Sequence, residues 1–139
     1  MVGEVSEQLG YKPHYFATAA GTGGTAAGIL SAKADVLAFS ALKGGGFLND
    51  DIKNLLVGET QPGKLTLFTE YHFGGYAKWN AELLALMESF KDEFGIQLEQ
   101  VYTAKMFFGL FDLIRKGYFA KGSVIVGVHT GGLQGLLRN

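Results

Sequence analysis

The amino-acid sequence predicts an α/β protein with an open, mostly parallel sheet flanked by helices, and three observations lead to this prediction. First, four short apolar segments alternate with segments of helical periodicity. Second, the chain has 21 glycines, and the clusters among them, at 21–24, 44–46, 74–75 and 131–132, follow the apolar segments, where α/β proteins place ligand-binding loops. Third, 47% of the 139 residues are hydrophobic and 18% are charged, which is enough apolar material for a single domain spanning residues 1–139.

The first half of the chain contains two predicted strands and three predicted helices. In order these are helix 1–11, strand 14–20, helix 23–33, strand 36–42 and helix 47–57. The first helix ends at Gly10, and Pro13 separates it from the strand because proline does not continue a helix. The second helix is rich in alanine and glycine, so it can approach a sheet closely. Asp50 and Asp51 suit the start of the third helix, where the helix dipole favours negative charge.

The second half adds two strands and two helices. In order these are strand 65–73, helix 80–94, helix 103–116 and strand 123–128. The clearest amphipathic pattern recurs at helical spacing along Leu83, Leu86, Met87, Phe90 and Phe94. The helix at 103–116 is apolar almost all round, which predicts deep burial, and Gly117 ends it. Together the alternating elements predict a parallel sheet with helices on its faces.

Charge and composition exclude several classes of function. The formal net charge of -1 leaves no excess of positive charge for a nucleic acid or an acidic membrane. There are no cysteines, so disulfides, thiolate metal sites and cysteine nucleophiles are excluded. We expect no metal site, because His14, His72 and His129 lack ligand spacing. No apolar run approaches the ~20 residues of a membrane span, and no signal peptide is evident, so we expect a cytoplasmic protein without a membrane partner.

A glycine-rich turn lies between the first predicted strand and the second helix. It reads Gly21-Thr22-Gly23-Gly24-Thr25. Strand, glycine turn and helix start together offer several backbone N–H groups to one anion, which predicts a phosphate site. The alternative is a tight connection with no ligand. A Walker loop is excluded because no Lys-Ser or Lys-Thr follows, and a dinucleotide site is disfavoured because no acidic residue ends the second strand.

Two further motifs contain candidate site residues. Tyr102 and Thr103 open the buried helix within the segment Val-Tyr-Thr-Ala-Lys. Their alternative role is structural, with Thr103 as the helix N-cap and Tyr102 packed against it. His129-Thr130-Gly131-Gly132-Leu133 follows the last predicted strand, and its alternative is an ordinary glycine turn.

Taken together and in this order, the three motifs resemble those of the 1-aminocyclopropane-1-carboxylate deaminase and D-cysteine desulfhydrase family. These are fold-type II pyridoxal phosphate enzymes related to the β-subunit of tryptophan synthase. The resemblance runs from about residue 10 to 136 and corresponds to the C-terminal half of the family's proteins. It implies that this chain is the half of a larger fold that binds the phosphate of pyridoxal 5'-phosphate.

The resemblance also implies roles for individual residues. Those that match the phosphate-binding loop are Gly21, Thr22, Gly23, Gly24 and Thr25. Thr103 matches the residue that faces the pyridine nitrogen, and Tyr102 matches a catalytic tyrosine near the substrate. Thr130 and Gly131 match a segment beside the cofactor ring. The loop 74–76 lies where the family has a substrate-side loop.

Thr103 bears on the choice of substrate. By the resemblance, the deaminases carry glutamate at this position, which keeps the ring nitrogen protonated. A neutral hydroxyl only donates a hydrogen bond, which suits loss of a good leaving group such as sulfide better than opening of a cyclopropane. We therefore expect a lyase or deaminase acting on a small amino acid, with D-cysteine desulfhydrase-like β-elimination favoured.

The catalytic lysine that the resemblance implies has no match in this chain. In the family it lies upstream of the glycine loop, as does a Ser-Asn-His motif for the substrate carboxylate. Lys12 is the only lysine upstream here, and its surroundings do not match, whereas the usual role of Lys105 is structural. We therefore expect the chain to pair with an N-terminal half or to form a homo-oligomer. The alternatives are a non-catalytic phosphate-binding or assembly domain and, more weakly, a nucleotide-binding domain.

Overall fold

The computed structural model describes residues 2–11, 13–20, 24–59 and 61–128, and all the predicted helices and strands occur there in the predicted order. The helices are α1 (Val2–Leu9), α2 (Gly24–Ser31), α3 (Leu48–Leu55), α4 (Ala81–Phe94) and α5 (Thr103–Arg115). The strands are β1 (Tyr15–Ala20), β2 (Val36–Ser40), β3 (Leu65–Phe68) and β4 (Ile125–Gly127). A turn of 3₁₀-helix, Gly45–Phe47, leads into α3.

The four strands form one parallel sheet in the order β3-β2-β1-β4. Phe16 pairs with Val36, Val36 pairs with Leu65, and Tyr15 pairs with Ile125. Parallel neighbours need crossover connections, and the helices between the strands supply them. The predicted fold class, an open parallel sheet flanked by helices, is confirmed.

The two faces of the sheet are covered by different kinds of side chain. On one face Ala26 of α2 and Ile52 of α3 join Phe16 in a buried cluster of small and aliphatic residues. On the other face Leu110 of α5 joins Phe39 in a cluster that is rich in aromatic residues. Both central strands are therefore buried on both sides, as expected for a parallel sheet.

Helix α5 lies unusually close to the sheet, and Gly109 makes this possible. A Cβ atom at this position would lie 2.7 Å from two carbons of the Phe39 ring. On the outer side of α5, Leu83 and Phe90 of α4 form a third buried cluster, against which Phe107 of α5 packs. The deep burial predicted for the helix at 103–116 follows from these two layers.

The third strand is shorter than predicted, because β3 ends at Phe68 rather than at residue 73. The chain beyond it forms a loop in which four residues have positive φ angles: 57° at Phe73, 100° at Gly74, 132° at Gly75 and 57° at Ala77. β3 itself ends at Phe68 because its neighbour β2 ends at Ser40, one residue after the last pair, and the left-handed backbone from Phe73 onward excludes any later extension. In the described part of the chain, no helix combines the length and the apolar character that a membrane span requires.

Candidate functional site

All four strands run in the same direction, so their carboxyl ends meet at one edge of the sheet. The glycines that follow β2 and β3, at 44–46 and 74–75, belong to this edge, which we call the carboxyl edge. After β2 the buried Ser40 closes a tight turn, because its Oγ donates to the carbonyl of Leu42 at 3.0 Å and accepts from the N–H of Leu42 at 3.1 Å. A Cβ atom at Gly45 would overlap with the Ser40 side chain, so this glycine is required for close packing.

The start of α2 is the first candidate anion site at the carboxyl edge. The helix begins at Gly24, four residues after β1 ends at Ala20. The sequence has no charged residue between positions 15 and 32. The predicted loop residues Gly21, Thr22 and Gly23 lie outside the described residues, and Gly24 and Thr25 are the first two residues of α2.

The start of α5 is occupied by a side chain of the protein itself. Glu99 is 2% exposed, and its carboxylate accepts from the N–H groups of Val101 at 2.6 Å, Tyr102 at 2.8 Å and Thr103 at 2.6 Å. These are the N–H groups that an external anion would otherwise use. Glu99 was not predicted from the sequence as a site residue, because it lies four positions before the helix and outside the usual capping pattern.

The structural alternative considered for Thr103 and Tyr102 is wrong in detail. Thr103 is the first residue of α5, and Tyr102 occupies the N-cap position without a capping side-chain bond. The Thr103 hydroxyl is buried and accepts from the N–H of Glu99 at 3.0 Å. Among the described residues this oxygen acts as an acceptor, so the hydroxyl proton is left to donate. The predicted contact of Thr103 with a ring nitrogen stays a prediction.

Tyr102 contacts a second tyrosine, Tyr76, from the loop after β3. Their ring centroids are 6.1 Å apart at an interplanar angle of 62°. Burial, with the neighbouring Tyr76 as a further cause, raises the pKa of Tyr102 to about 12. Tyr102 is therefore a protonated phenol at neutral pH. The loop 74–76, which the sequence suggested only by resemblance, lies beside this predicted catalytic residue.

Lys105 links α5 to two loops of the carboxyl edge. Its Nζ donates to the carbonyl of Gly75 at 2.9 Å and to the carbonyl of Ala41 at 3.5 Å. The side chain is 1% exposed. Burial lowers the pKa of Lys105 to about 8, and the negative charge of Glu99 partly opposes this shift. These partners lie far away in the sequence, so the motif alone could not reveal them.

A second contact joins α5 to the start of the loop that follows β3. The Tyr71 hydroxyl donates to Oδ2 of Asp112 at 2.7 Å, and Lys116 lies 2.7 Å from the same oxygen. Burial, together with the hydrogen bond to Asp112, raises the pKa of Tyr71. The segment from Tyr71 to Tyr76 is thus attached to α5 at two points.

The histidines act as hydrogen-bond acceptors where the structure describes them. Nδ1 of His14 accepts from the N–H of Val124 at 2.9 Å, and Nδ1 of His72 accepts from the N–H of Gly74 at 3.0 Å. In the described ranges no three histidine or acidic side chains are placed to hold a metal ion. His129, Thr130 and Gly131 lie outside the described residues, so the predicted segment beside a cofactor ring stays a prediction.

The amino-acid sequence is similar to those of proteins named 1-aminocyclopropane-1-carboxylate deaminase or D-cysteine desulfhydrase. A Pyrococcus horikoshii protein with the provisional name 1-aminocyclopropane-1-carboxylate deaminase is 34% identical over 96% of this chain and 44% of its own length. The mitochondrial bifunctional D-cysteine desulfhydrase/1-aminocyclopropane-1-carboxylate deaminase of Arabidopsis thaliana is 32% identical over 96% of this chain and 37% of its own length. The D-cysteine desulfhydrase of Klebsiella pneumoniae is 38% identical over 52% of this chain.

A solved structure gives the same result. The crystal structure of a homologue of 1-aminocyclopropane-1-carboxylate deaminase matches 96% of this chain with a TM-score of 0.81 and 32% identity, over 44% of its own length. The chain spans less than half the length of the relatives it matches, and the match lies in their C-terminal half. No protein-family model matches the chain.

Proposed function

We propose that this chain, which is similar to the C-terminal half of proteins named 1-aminocyclopropane-1-carboxylate deaminase and D-cysteine desulfhydrase, belongs to their family and binds pyridoxal 5'-phosphate for a lyase acting on a small amino acid. The phosphate would be held by Gly21 to Thr25 at the start of α2. Thr103 would contact the pyridine ring nitrogen, Tyr102 would face the substrate, and Thr130 and Gly131 would lie beside the ring.

The difference between the two helix starts carries this proposal. The N–H groups at the start of α5 donate to Glu99, so that start has no room for a phosphate. The start of α2 follows the glycine-rich sequence at 21–24, and its first turn contains no acidic residue. We therefore assign the phosphate to the start of α2, because a helix start with no acidic residue of its own favours an external anion.

The donor set near α5 fits the ring of this cofactor. The Thr103 hydroxyl accepts from Glu99 N–H and keeps its own proton to donate, which is what an unprotonated pyridine nitrogen requires. Glu99 does not compete for this role, because its two carboxylate oxygens accept from backbone N–H groups. When bound, pyridoxal phosphate supplies an electron sink for cleavage of bonds at the substrate α-carbon.

The tyrosine pair would handle protons on the substrate side. With its pKa raised to about 12 by burial and by Tyr76, Tyr102 keeps its proton at neutral pH. It would therefore donate a hydrogen bond or a proton to the substrate rather than act as a base. Tyr76 is 57% exposed and would form the outer wall of this region.

Within the family we propose the desulfhydrase-like branch, in which sulfide leaves from the β-carbon of a D-cysteine-like substrate. The neutral Thr103 supports this choice, because a hydroxyl does not keep the ring nitrogen protonated. Replacing Thr103 by Glu should shift the activity ratio towards the cyclopropane substrate. Brisk cyclopropane opening by the unsubstituted, complete enzyme would contradict the choice.

Cofactor binding can be tested without activity. The chain would be mixed with pyridoxal phosphate and, separately, with pyridoxal, which lacks the phosphate. We expect tighter binding of the phosphorylated form and no visible band of a lysine-bound cofactor from this chain alone. The band should appear when the N-terminal half of the Pyrococcus horikoshii relative is added. Equal binding of the two compounds would contradict the phosphate site.

We propose in addition that the chain pairs with an N-terminal half or with a second copy. Several apolar side chains support this, since they are at least 45% exposed: Val57, Leu55, Phe94 and Ile96. Sedimentation of the chain with and without the complementary half would measure the pairing. A strictly monomeric chain that does not bind the added half would contradict it.

A further inference from the structure

Lys105 occupies a position that is unfavourable for a lysine. It lies in the first turn of α5, where the helix dipole disfavours positive charge, and it is 1% exposed. Glu99 offsets part of this cost, because its negative charge favours the protonated amine. A buried lysine at the wrong end of a helix is expected only where its hydrogen bonds have a specific use.

The main contact of Lys105 is with a strained loop. Its Nζ is 2.9 Å from the carbonyl of Gly75, which also accepts from the N–H of Lys78 at 3.1 Å. Phe73 and Ala77 in the same loop have φ angles of 57°, which non-glycine residues rarely adopt. Such a conformation persists only when surrounding contacts hold it. The hydrogen bond from Lys105 to the Gly75 carbonyl is one of these contacts.

The loop carries Tyr76, the residue that follows the carbonyl bound by Lys105. Tyr76 is 57% exposed, so little packing holds its ring in place. Its ring contacts the ring of Tyr102 edge to face, with 6.1 Å between the ring centroids. The position of Tyr76 therefore depends on where the backbone of Gly75 is held.

We propose that Lys105 is a positioning residue, which binds the Gly75 carbonyl and thereby holds Tyr76 against Tyr102. The inference that this pair faces a substrate rests on the proposed function. The link from Lys105 to the tyrosine pair is a property of the chain alone. The competing explanation is that Lys105 only stabilises the fold and leaves the tyrosine pair unaffected when it is replaced.

A chemical rescue separates these explanations. The chain has no cysteine, so Lys105→Cys introduces a unique thiol, and aminoethylation of that thiol in denaturant regenerates a lysine analogue on refolding. Two quantities are measured without any cofactor: amide hydrogen exchange at Gly75 and Lys78, and the titration of Tyr102. Lys91→Cys, on the exposed surface of α4, serves as the matched control.

We expect amide exchange at Gly75 and Lys78 to become about tenfold faster in Lys105→Cys, because one hydrogen bond from a charged donor is lost. The pKa of Tyr102 should fall below about 12 as Tyr76 moves away, while burial, the largest cause, keeps it above 10.0. Aminoethylation should reverse both changes, and Lys91→Cys should show neither.

Unchanged loop exchange and an unchanged Tyr102 titration in a folded Lys105→Cys chain would overturn the proposal, as would changes that aminoethylation does not reverse. If this variant does not fold, NMR of the unsubstituted chain decides. Slowly exchanging amine protons of Lys105 in contact with the loop protons would support the proposal, and their absence would overturn it. Because no cofactor is present, failure of phosphate binding would reject the proposed function alone.

Discussion

The helices α2 and α5 both begin at the carboxyl edge of the sheet, and different residues precede them. At α5 the chain supplies its own anion, since Glu99 accepts from three consecutive N–H groups. At α2 the preceding sequence, at 21–23, consists of glycine and threonine, and no charged residue occurs between positions 15 and 32. Where the first N–H groups of a helix donate to a side chain of the protein, they stabilise the fold. Where they donate to an external anion, they contribute to the affinity for that anion.

The largest effect should come from removing the internal anion. Glu99→Ala should lower the free energy of unfolding by about 3 kcal/mol, because three buried N–H groups lose a charged acceptor. Glu99→Gln should cost less, since an amide oxygen can still accept. Urea denaturation measures both, with the exposed Glu93→Ala on α4 as control. A loss no greater than that of the control would show that the α5 start is satisfied in another way.

The converse change introduces a carboxylate into the first turn of α2, whose own sequence has no acidic residue. Thr25→Asp puts a carboxylate in the first turn of α2, where it would favour the helix and compete with the phosphate. We expect at least about tenfold weaker binding of pyridoxal phosphate, or ~1.4 kcal/mol, from like-charge repulsion. Thr25→Asn is the neutral control. Calorimetry on the chain and on its complex with the complementary half measures this, and equal affinities would contradict the site.

The buried lysine and tyrosine should give the stability a defined pH dependence. The pKa of Lys105 is about 8 in the folded chain and 10.5 in the unfolded chain, so its contribution to stability rises as the pH increases from 8 to 10.5. The pKa of Tyr102 is raised from 10.0 to about 12, so its contribution falls above pH 10. Urea denaturation across this range should show the rise. Lys105→Met should remove it, and a rise that persists in this variant would contradict the assignment.

The smallest effect concerns the hydroxyl at the α5 start. Thr103→Val removes the acceptor of the Glu99 N–H, and we expect a loss of about 1 kcal/mol from the free energy of unfolding. Thr103→Ser keeps the hydroxyl and should stay close to the original stability. Thermal or urea denaturation compares the two. Equal losses in both variants would show that the methyl group rather than the hydroxyl matters.

The architecture could be predicted from the sequence because local patterns determine it. Glycine clusters and apolar runs located the strands, and helical periodicity located α4 and α5. The main error was in β3, which was predicted to reach residue 73 because Thr69 and Tyr71 continue its β-type residues. The strand ends earlier because its neighbour β2 ends at Ser40, one residue after the last pair, Phe39 with Phe68, and the sequence of β3 gives no sign of where its partner ends.

The candidate site was predictable only in part. The start of α2 and the pair Tyr102 and Thr103 stand out as short motifs. Glu99 does not stand out as a motif. In the sequence, a buried glutamate four residues before a helix cannot be distinguished from an acidic residue on the surface. Lys105 is part of a recognised motif, yet its hydrogen-bond partners at Ala41 and Gly75 depend on how distant segments fold together. Contacts between residues that are distant in the sequence leave no local sequence pattern that would predict them.

The two attachments of the β3 loop to α5 have a mechanical consequence. Tyr71 is fixed to Asp112, and Gly75 is fixed to Lys105, at points two helical turns apart, or about 10 Å along the axis. A segment fastened at two separated points can neither pivot about one of them nor slide past the other. Any displacement of α5 along its own axis would therefore carry Tyr71 and Tyr76, the residue after Gly75, in the same direction. The spacing between these two tyrosines would be conserved while their distance from β1 changes.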